Sequence, residues 1–181
     1  MGGGGQPAGT PATGPGVGPV RLEAIYEAPG LPGCGLPRGL AERYGGDLGF
    51  EPPSLYANFV ASLDGVVALG TEYRLPPGCT VLALGDGPAL AMAGVLAAVS
   101  ARGHASVLTE GGPALLGQLV GEGLVDELFL TVSPFLAGRD KTPRPGLVEG
   151  LELLPSRRLP GELLSARRRG SYLFLRYKLR R

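Results

Sequence analysis

The chain has 181 residues, 44% of them apolar, and a net charge of +1, which suits one domain with a sizeable core. No stretch approaches the ~20 continuous apolar residues of a membrane span. No basic n-region precedes an apolar h-region, so a cytoplasmic protein is expected. Cys34 and Cys79 lack metal-ligand spacing, and with the lone His104 they fall short of the about four ligands of a structural zinc site. They are read as free thiols in a reducing compartment, and no metal is expected.

The charge is unevenly spread. Residues 139–181 hold 12 of the 17 basic residues and four of the 16 acidic ones. A basic end can meet nucleic acid or a phosphorylated small molecule, or it can be a solvated strand face. Fifteen of the 17 basic residues are Arg in a chain rich in Gly, Ala and Pro. That bias weakens any inference from the Arg clusters, and nucleic acid is not expected as a partner.

Residues 1–20 contain eight Gly, four Pro and no charged side chain. They cannot bury enough apolar surface to offset their ordering entropy and are read as a disordered tail. The sequence "VRLEAIYE" (20–27) alternates like a short strand, and "GLPGCGLP" (30–37) is a loop. "RGLAERYGG" (38–46) carries one or two helical turns stopped by Gly45-Gly46. "SLYANFVASL" (54–63) reads as a buried strand ending at Asp64-Gly65, with "VVAL" (66–69) as a candidate hairpin partner. "CTVLAL" (79–84) is another strand, broken by Gly85-Asp86-Gly87-Pro88. In 89–102, Met92, Val95, Leu96 and Val99 form a helical stripe, with Gly103 as its stop.

A third strong strand, "ASVLT" (105–109), leads through Glu110-Gly111-Gly112 into a short helix over 113–123 with Pro113 in its first turn. "DELFLTVSPFL" (126–136) is a fourth strand. Residues 162–179 form a hairpin turning near Arg169-Gly170-Ser171. Alternating strands and helices in the middle imply right-handed βαβ units. The class is α/β, with a mixed, mostly parallel sheet and a C-terminal antiparallel hairpin.

Ligands of parallel sheets bind outside the carboxyl ends of the strands. There, Gly111 and Gly112 let a ligand approach the backbone, and the following helix offers unpaired N–H groups and the positive end of its dipole. A phosphate or pyrophosphate fits such a turn, and so does an ordinary βα connection. Gly85 and Gly87 repeat the arrangement one unit earlier. Neither turn fits a dinucleotide-fold G-x-G-x-x-G or a P-loop. Glu110 is either held by the helix dipole or an acceptor for ligand donors. Asp64 is either a hairpin-turn residue or a ligand contact. His104, beside Gly103 in a helix–strand loop, is taken as surface structure.

Three segments, "LYANFVASLDGVVAL" (55–69), "SVLTEGGPALLGQLVGEGLVDELFLTVSPFLAG" (106–138) and "SYLFLRYKL" (171–179), together resemble the pyrimidine reductases of riboflavin biosynthesis. These are the C-terminal reductase domains of bifunctional deaminase-reductases and their stand-alone relatives. The resemblance implies a dihydrofolate-reductase-like three-layer α/β/α fold over 21–181. It implies NADPH as cofactor and reduction of a ribosylamino-pyrimidine 5′-phosphate to its ribityl form. It places Asn58, Ser62, Asp64 and Glu110 on the substrate side, and Gly85, Gly87, Gly111 and Gly112 around the cofactor. No residue is assigned as the catalytic acid or base. Where the family carries a helix, at least two strands and a phosphate-gripping turn after S-L-D-G, this chain has only "GTEYRLPPG" (70–78). It resembles a shortened member, which folds with a reduced sheet, pairs as a homodimer, or persists as a non-catalytic nucleotide-binding or interaction relative.

Overall fold

The structure, a computed structural model, describes residues 21–49, 51–61, 65, 90–138, 141 and 144–180. The 1–20 tail, Ser62, Asp64, the segments expected as strands at 66–69 and 79–84, and Gly85 and Gly87 lie outside the described residues. Nine elements follow in chain order: β1 (Glu23–Glu27), α1 (Arg38–Tyr44), β2 (Ser54–Ala61), α2 (Met92–Ser100), β3 (Ser106–Thr109), α3 (Pro113–Gly121), β4 (Glu127–Val132), β5 (Gly161–Arg169) and β6 (Tyr172–Leu179). They build one six-stranded sheet in the order β1-β5-β6-β4-β2-β3. Both neighbours of β2 run parallel to it, and the β1–β5, β5–β6 and β6–β4 pairings are antiparallel. The α/β class with a mixed sheet and a closing hairpin is therefore what the chain adopts. Among the described residues its parallel part is the trio β3-β2-β4.

The pleat of β2 sorts its side chains. Leu55, Ala57 and Phe59 are buried on one face, where Met92 of α2 and Leu116, Leu119 and Val120 of α3 complete the core. Each large side chain so buried contributes about 1.5–3 kcal/mol. On the other face, Tyr44 at the end of α1 and Leu48 lie over Asn58, Phe129 and Arg176. That puts α2 and α3 on one side of the sheet and the end of α1 on the other.

Element ends follow from local chemistry. Gly45 stops α1 with φ +72°, a left-handed conformation that favours glycine. Helix α2 begins at Met92, the first residue of its apolar stripe, rather than at 89. There the Glu122 carboxylate accepts the N–H groups of Met92 (3.1 Å) and Ala93 (3.2 Å). Strand β4 ends at Val132 rather than at 136. Ser133 turns both its N–H and its Oγ onto the Ala61 carbonyl (2.8 Å each), and Pro134 has no N–H to extend the ladder.

Gly117 sits where α3 meets the 147–151 segment. A Cβ there would run into the Glu149 carbonyl oxygen, and backbone yields less readily than a side-chain tip. Gly117→Ala is therefore expected to cost about 1–3 kcal/mol, the range of an overpacked core. A urea melt checks this, and an unchanged midpoint would show that the helix and the segment slide apart freely.

Four arginines of the C-terminal part are internalised or paired. Arg167 and Arg176 are both 2% exposed. Arg176 bonds both oxygens of Glu127 (2.7 and 3.0 Å) and the Gly49 carbonyl (2.7 Å), and it stacks over Phe129 at 5.3 Å. Arg167 bonds Glu27, the Ser165 hydroxyl and the Tyr44 carbonyl. Arg168 and Arg180 pair with Glu23 and Glu162 at the surface. A solvated strand face accounts for Arg168 and Arg180, whereas Arg167 and Arg176 are buried in the fold, which neither sequence reading anticipates.

Candidate functional site

The site begins at the carboxyl end of β3, beside the middle of β2. Register pairs Ala57 with Thr109, so Glu110 emerges beside Asn58. The Asn58 Nδ2 donates to Glu110 Oε1 at 2.7 Å. Thr109 Oγ1 accepts the N–H of Gly111 at 3.4 Å, a long bond that leaves the turn lightly tethered. Gly112 follows at φ +86°, ψ 171°, a region occupied by glycine almost alone. Helix α3 then starts with Pro113 in its first turn and no side-chain cap. Its first backbone bond runs from the Leu116 N–H to the Gly112 carbonyl (3.0 Å). A Cβ on Gly112 would meet nothing within 4 Å, whereas one on Gly111 would press into the Leu115 side chain. The two glycines thus differ. Gly111 faces its own helix, whereas nothing among the described residues crowds Gly112.

Asn58 also lines a cavity of about 150 Å³ on the α1 side of the sheet, with Phe129, Thr131, Ser165, Arg167 and Phe174. Glu110, Gly111 and Gly112 stand outside that cavity, and the Asn58 amide joins the two regions. Ser133 fixes the Ala61 carbonyl, and so anchors the exit of β2 immediately before Ser62 and Asp64. Structure thus brings Asn58, in the middle of β2, together with Glu110, Gly111 and Gly112 at the carboxyl end of β3.

The start of α2 lies elsewhere. Its first amides bond Glu122, just past the end of α3, and Gln118 Nε2 donates to the Leu90 carbonyl (2.5 Å). With about 1.5 Å of rise per residue, that end of α3 is ~13 Å from the Gly112 turn. The N-terminus of α2 is accordingly occupied by a carboxylate, while among the described residues that of α3 has no side-chain cap. Nothing in the spacing of Gly85-Asp86-Gly87-Pro88 signals this, because Glu122 acts across the fold.

Sequence patterns also misplace the weight of V-D-E-L. Asp126 binds the Leu55 N–H through Oδ2 (2.8 Å) and donates its own N–H to the Leu55 carbonyl (2.8 Å), and Glu127 holds Arg176. Both sit at the start of β4, with Glu127 in register with Tyr56, two residues before Asn58, and tie β2, β4 and β6 together. His104 lines a separate cavity of about 350 Å³ with Pro53, Ser54 and Asp126. Among the described residues no group of three or more His, Cys, Asp or Glu is placed to hold a metal ion, and no helix is long and apolar enough to cross a membrane.

Two titration shifts lie outside this end. Asp47 accepts the N–H groups of Leu36 (3.1 Å) and Gly35 (2.9 Å) and the Cys34 thiol (3.2 Å). These bonds, the Leu36 amide foremost, hold its carboxyl below the usual range. The bond to Asp47 pushes the Cys34 thiol up. Because the folded value of Asp47 is depressed, its contribution to stability is present above the ordinary carboxylate pKa. It is lost as pH falls through the folded value. Cys34 is expected to alkylate slowly near neutral pH despite its exposure, and Asp47→Asn to accelerate it. Site-resolved mass spectrometry of iodoacetamide labelling reads this directly, and equal rates in both proteins would refute the assignment.

Taken together, the sheet order and the helices on both faces define an α/β fold with a mixed sheet. Residues 75–164 match the family model of the RibD C-terminal domain. Two crystal forms of Acinetobacter baumannii RibD share the fold. Form 2 has 15% identity and a TM-score of 0.53 over 71% of this chain and 58% of that one. Form 1 has 15% identity and 0.53 over 79% and 61%. The chain thus spans about three-fifths of the length of these relatives. A pyrimidine reductase-like protein from Corynebacterium diphtheriae is 15% identical with a TM-score of 0.49, covering 71% of this chain and 92% of that chain. No curated protein matches the chain.

Proposed function

We propose that the protein is an NADPH-dependent reductase that converts a ribosylamino-pyrimidine 5′-phosphate to its ribitylamino form. The observation that carries this reading is the start of α3, a helix N-terminus entered through Gly112 that no described side chain caps and where a Cβ on Gly112 would meet nothing within 4 Å among the described residues. A pyrophosphate suits that position, because backbone N–H groups and the helix dipole both favour an anion there. The residues present therefore fit one half of a dinucleotide. Gly111, Gly112 and the first amides of α3 would hold its phosphates, and the bound nicotinamide would supply the hydride. Asn58 and Glu110, bonded to each other beside that turn, would face the sugar. Hydride transfer depends on positioning more than on a strong acid or base, which suits a site whose described side chains include no histidine.

A second reading rests on the nine-residue connection 70–78, where the resembling family has a whole cofactor-gripping unit. It makes the protein a nucleotide-binding relative without turnover. Absorbance at the reduced-nicotinamide band separates the two. Substrate-dependent loss of NADPH is expected from the first, and tight NADPH binding with no loss in the presence of substrate from the second. No binding at millimolar cofactor would remove both.

A further inference from the structure

We infer that a groove at the end of α1 binds a small aromatic anion, a ring carrying a phosphate or a carboxylate, at a site separate from the Gly111-Gly112 turn. The groove has a volume of about 400 Å³ and is lined by Leu22, Leu40, Arg43, Tyr44, Arg169 and Phe174. That size falls within the roughly 300–1,000 Å³ of small-molecule pockets. Its position follows from the fold. The Leu22 N–H donates to the Arg43 carbonyl (2.7 Å), which pins the approach to β1 against the last turn of α1. Side chains alternate along a strand, so Arg169 of β5 shares a face with Arg167, and the register sets Arg167 opposite Phe174 of β6. Two guanidinium groups thus border a floor of leucine and aromatic side chains. Leu40 and Tyr44 are left 41% and 43% exposed there.

Charge decides what fills the groove. Every carboxylate on α1, β1 and β5 is already engaged by another arginine: Glu42 by Arg38, Glu27 by Arg167, Glu23 by Arg168 and Glu162 by Arg180. Among the described residues neither Arg43 nor Arg169 pairs with a carboxylate. The dipole of α1 favours a cation at Arg43, but it uses none of the side-chain donors. A planar fork of N–H groups suits the oxygens of a phosphate or carboxylate. Tyr44 and Phe174 offer aromatic surface to a ring. A cation is repelled from the groove, and a neutral hydrocarbon leaves both guanidinium groups without a partner. Four strand spacings, about 19 Å, separate β5 from β3 across the sheet, so the groove does not share a ligand's phosphates with the turn before α3. The inference therefore stands apart from the reductase reading.

Phenyl phosphate is the probe, titrated into the full chain and followed by calorimetry and amide chemical shifts, with inorganic phosphate and phenol as its two halves. Saturable binding of phenyl phosphate is expected, with the largest shifts at Arg43, Tyr44, Arg169 and Phe174, and at least tenfold weaker binding of either half. Arg43→Gln and Arg169→Gln should each weaken binding about tenfold, the scale of one hydrogen bond to a charged group. Arg168→Gln, next along β5 but paired with Glu23, should leave it unchanged. These three side chains are exposed, and the amide spectrum of each variant shows that the fold is kept. Saturating NADPH should not displace the probe. Inorganic phosphate binding as tightly as phenyl phosphate, or an equal loss in Arg168→Gln, would reduce the groove to diffuse charge attraction and overturn the proposal. Displacement by NADPH would overturn its separateness. Binding of a peptide of alternating Glu and Phe that phenyl phosphate cannot compete away would give the groove to a protein partner, and would overturn the small-ligand assignment.

Discussion

Arg176→Ala is expected to destabilise the fold by about 3–5 kcal/mol, the cost of breaking a buried ion pair from one side. Arg176 is 2% exposed and its partner Glu127 side chain is 14% exposed, so truncation strands a carboxylate that water cannot reach freely. The Gly49 carbonyl loses its donor, and Phe129 loses the cation stacked on its face. The pair bridges β4 and β6, whose ladder joins the parallel trio to the antiparallel hairpin. The loss should therefore appear in global unfolding rather than in local fraying. Arg176→Met combined with Glu127→Gln should recover much of the deficit, because it removes both charges and keeps the volume. Urea melts of the single and double variants check this. A single variant within about 1 kcal/mol of wild type would mean that the pair is solvated and does not organise this face.

Gly112→Ala is the second large expectation. At φ +86° and ψ 171° a Cβ adds strain of about 1–3 kcal/mol, and no contact relieves it. The same methyl would stand before α3, clear of the described residues, where the cofactor phosphates are proposed to lie. Stability should fall modestly and NADPH affinity by more than tenfold. Isothermal titration below the variant's melting temperature separates the two effects. Gly111→Ala is a useful contrast, since its Cβ meets the Leu115 side chain and should perturb packing of the first helical turn before it touches a ligand. A Gly112→Ala variant with wild-type cofactor affinity would move the phosphate site elsewhere.

What can be read from sequence and what cannot divide along physical lines. Helix and strand identities are legible because they are local. The Met92–Val95–Leu96 stripe, the apolar run of β2 and the Gly170 hairpin turn carry their own signals in spacing and turn chemistry. The Gly111-Gly112 turn is legible as a turn, and only its backbone angles separate the roles of its two glycines. Interactions that act across the fold leave no local trace. Glu122 caps α2 from the end of α3, and Arg167 and Arg176 look like surface charge in a basic tail yet are among the most buried side chains. Asp126 and Glu127 sit in a recognisable motif whose function turns out to be tying strands together. The Asn58–Glu110 bond spans 52 residues of sequence, and either residue alone reads as one polar side chain in or after a strand.

The central claim is that a phosphate-bearing cofactor binds at the start of α3, beside Glu110. Backbone amide chemical shifts of the labelled protein during NADPH titration test it most directly. The largest movements are predicted at Gly111, Gly112 and Ala114, with a smaller response at the Asn58 side chain and none at Met92 or Ala93, whose amides already hold Glu122. Shifts confined to the residues around His104 and Asp126, or no saturable shift at millimolar NADPH, would contradict it.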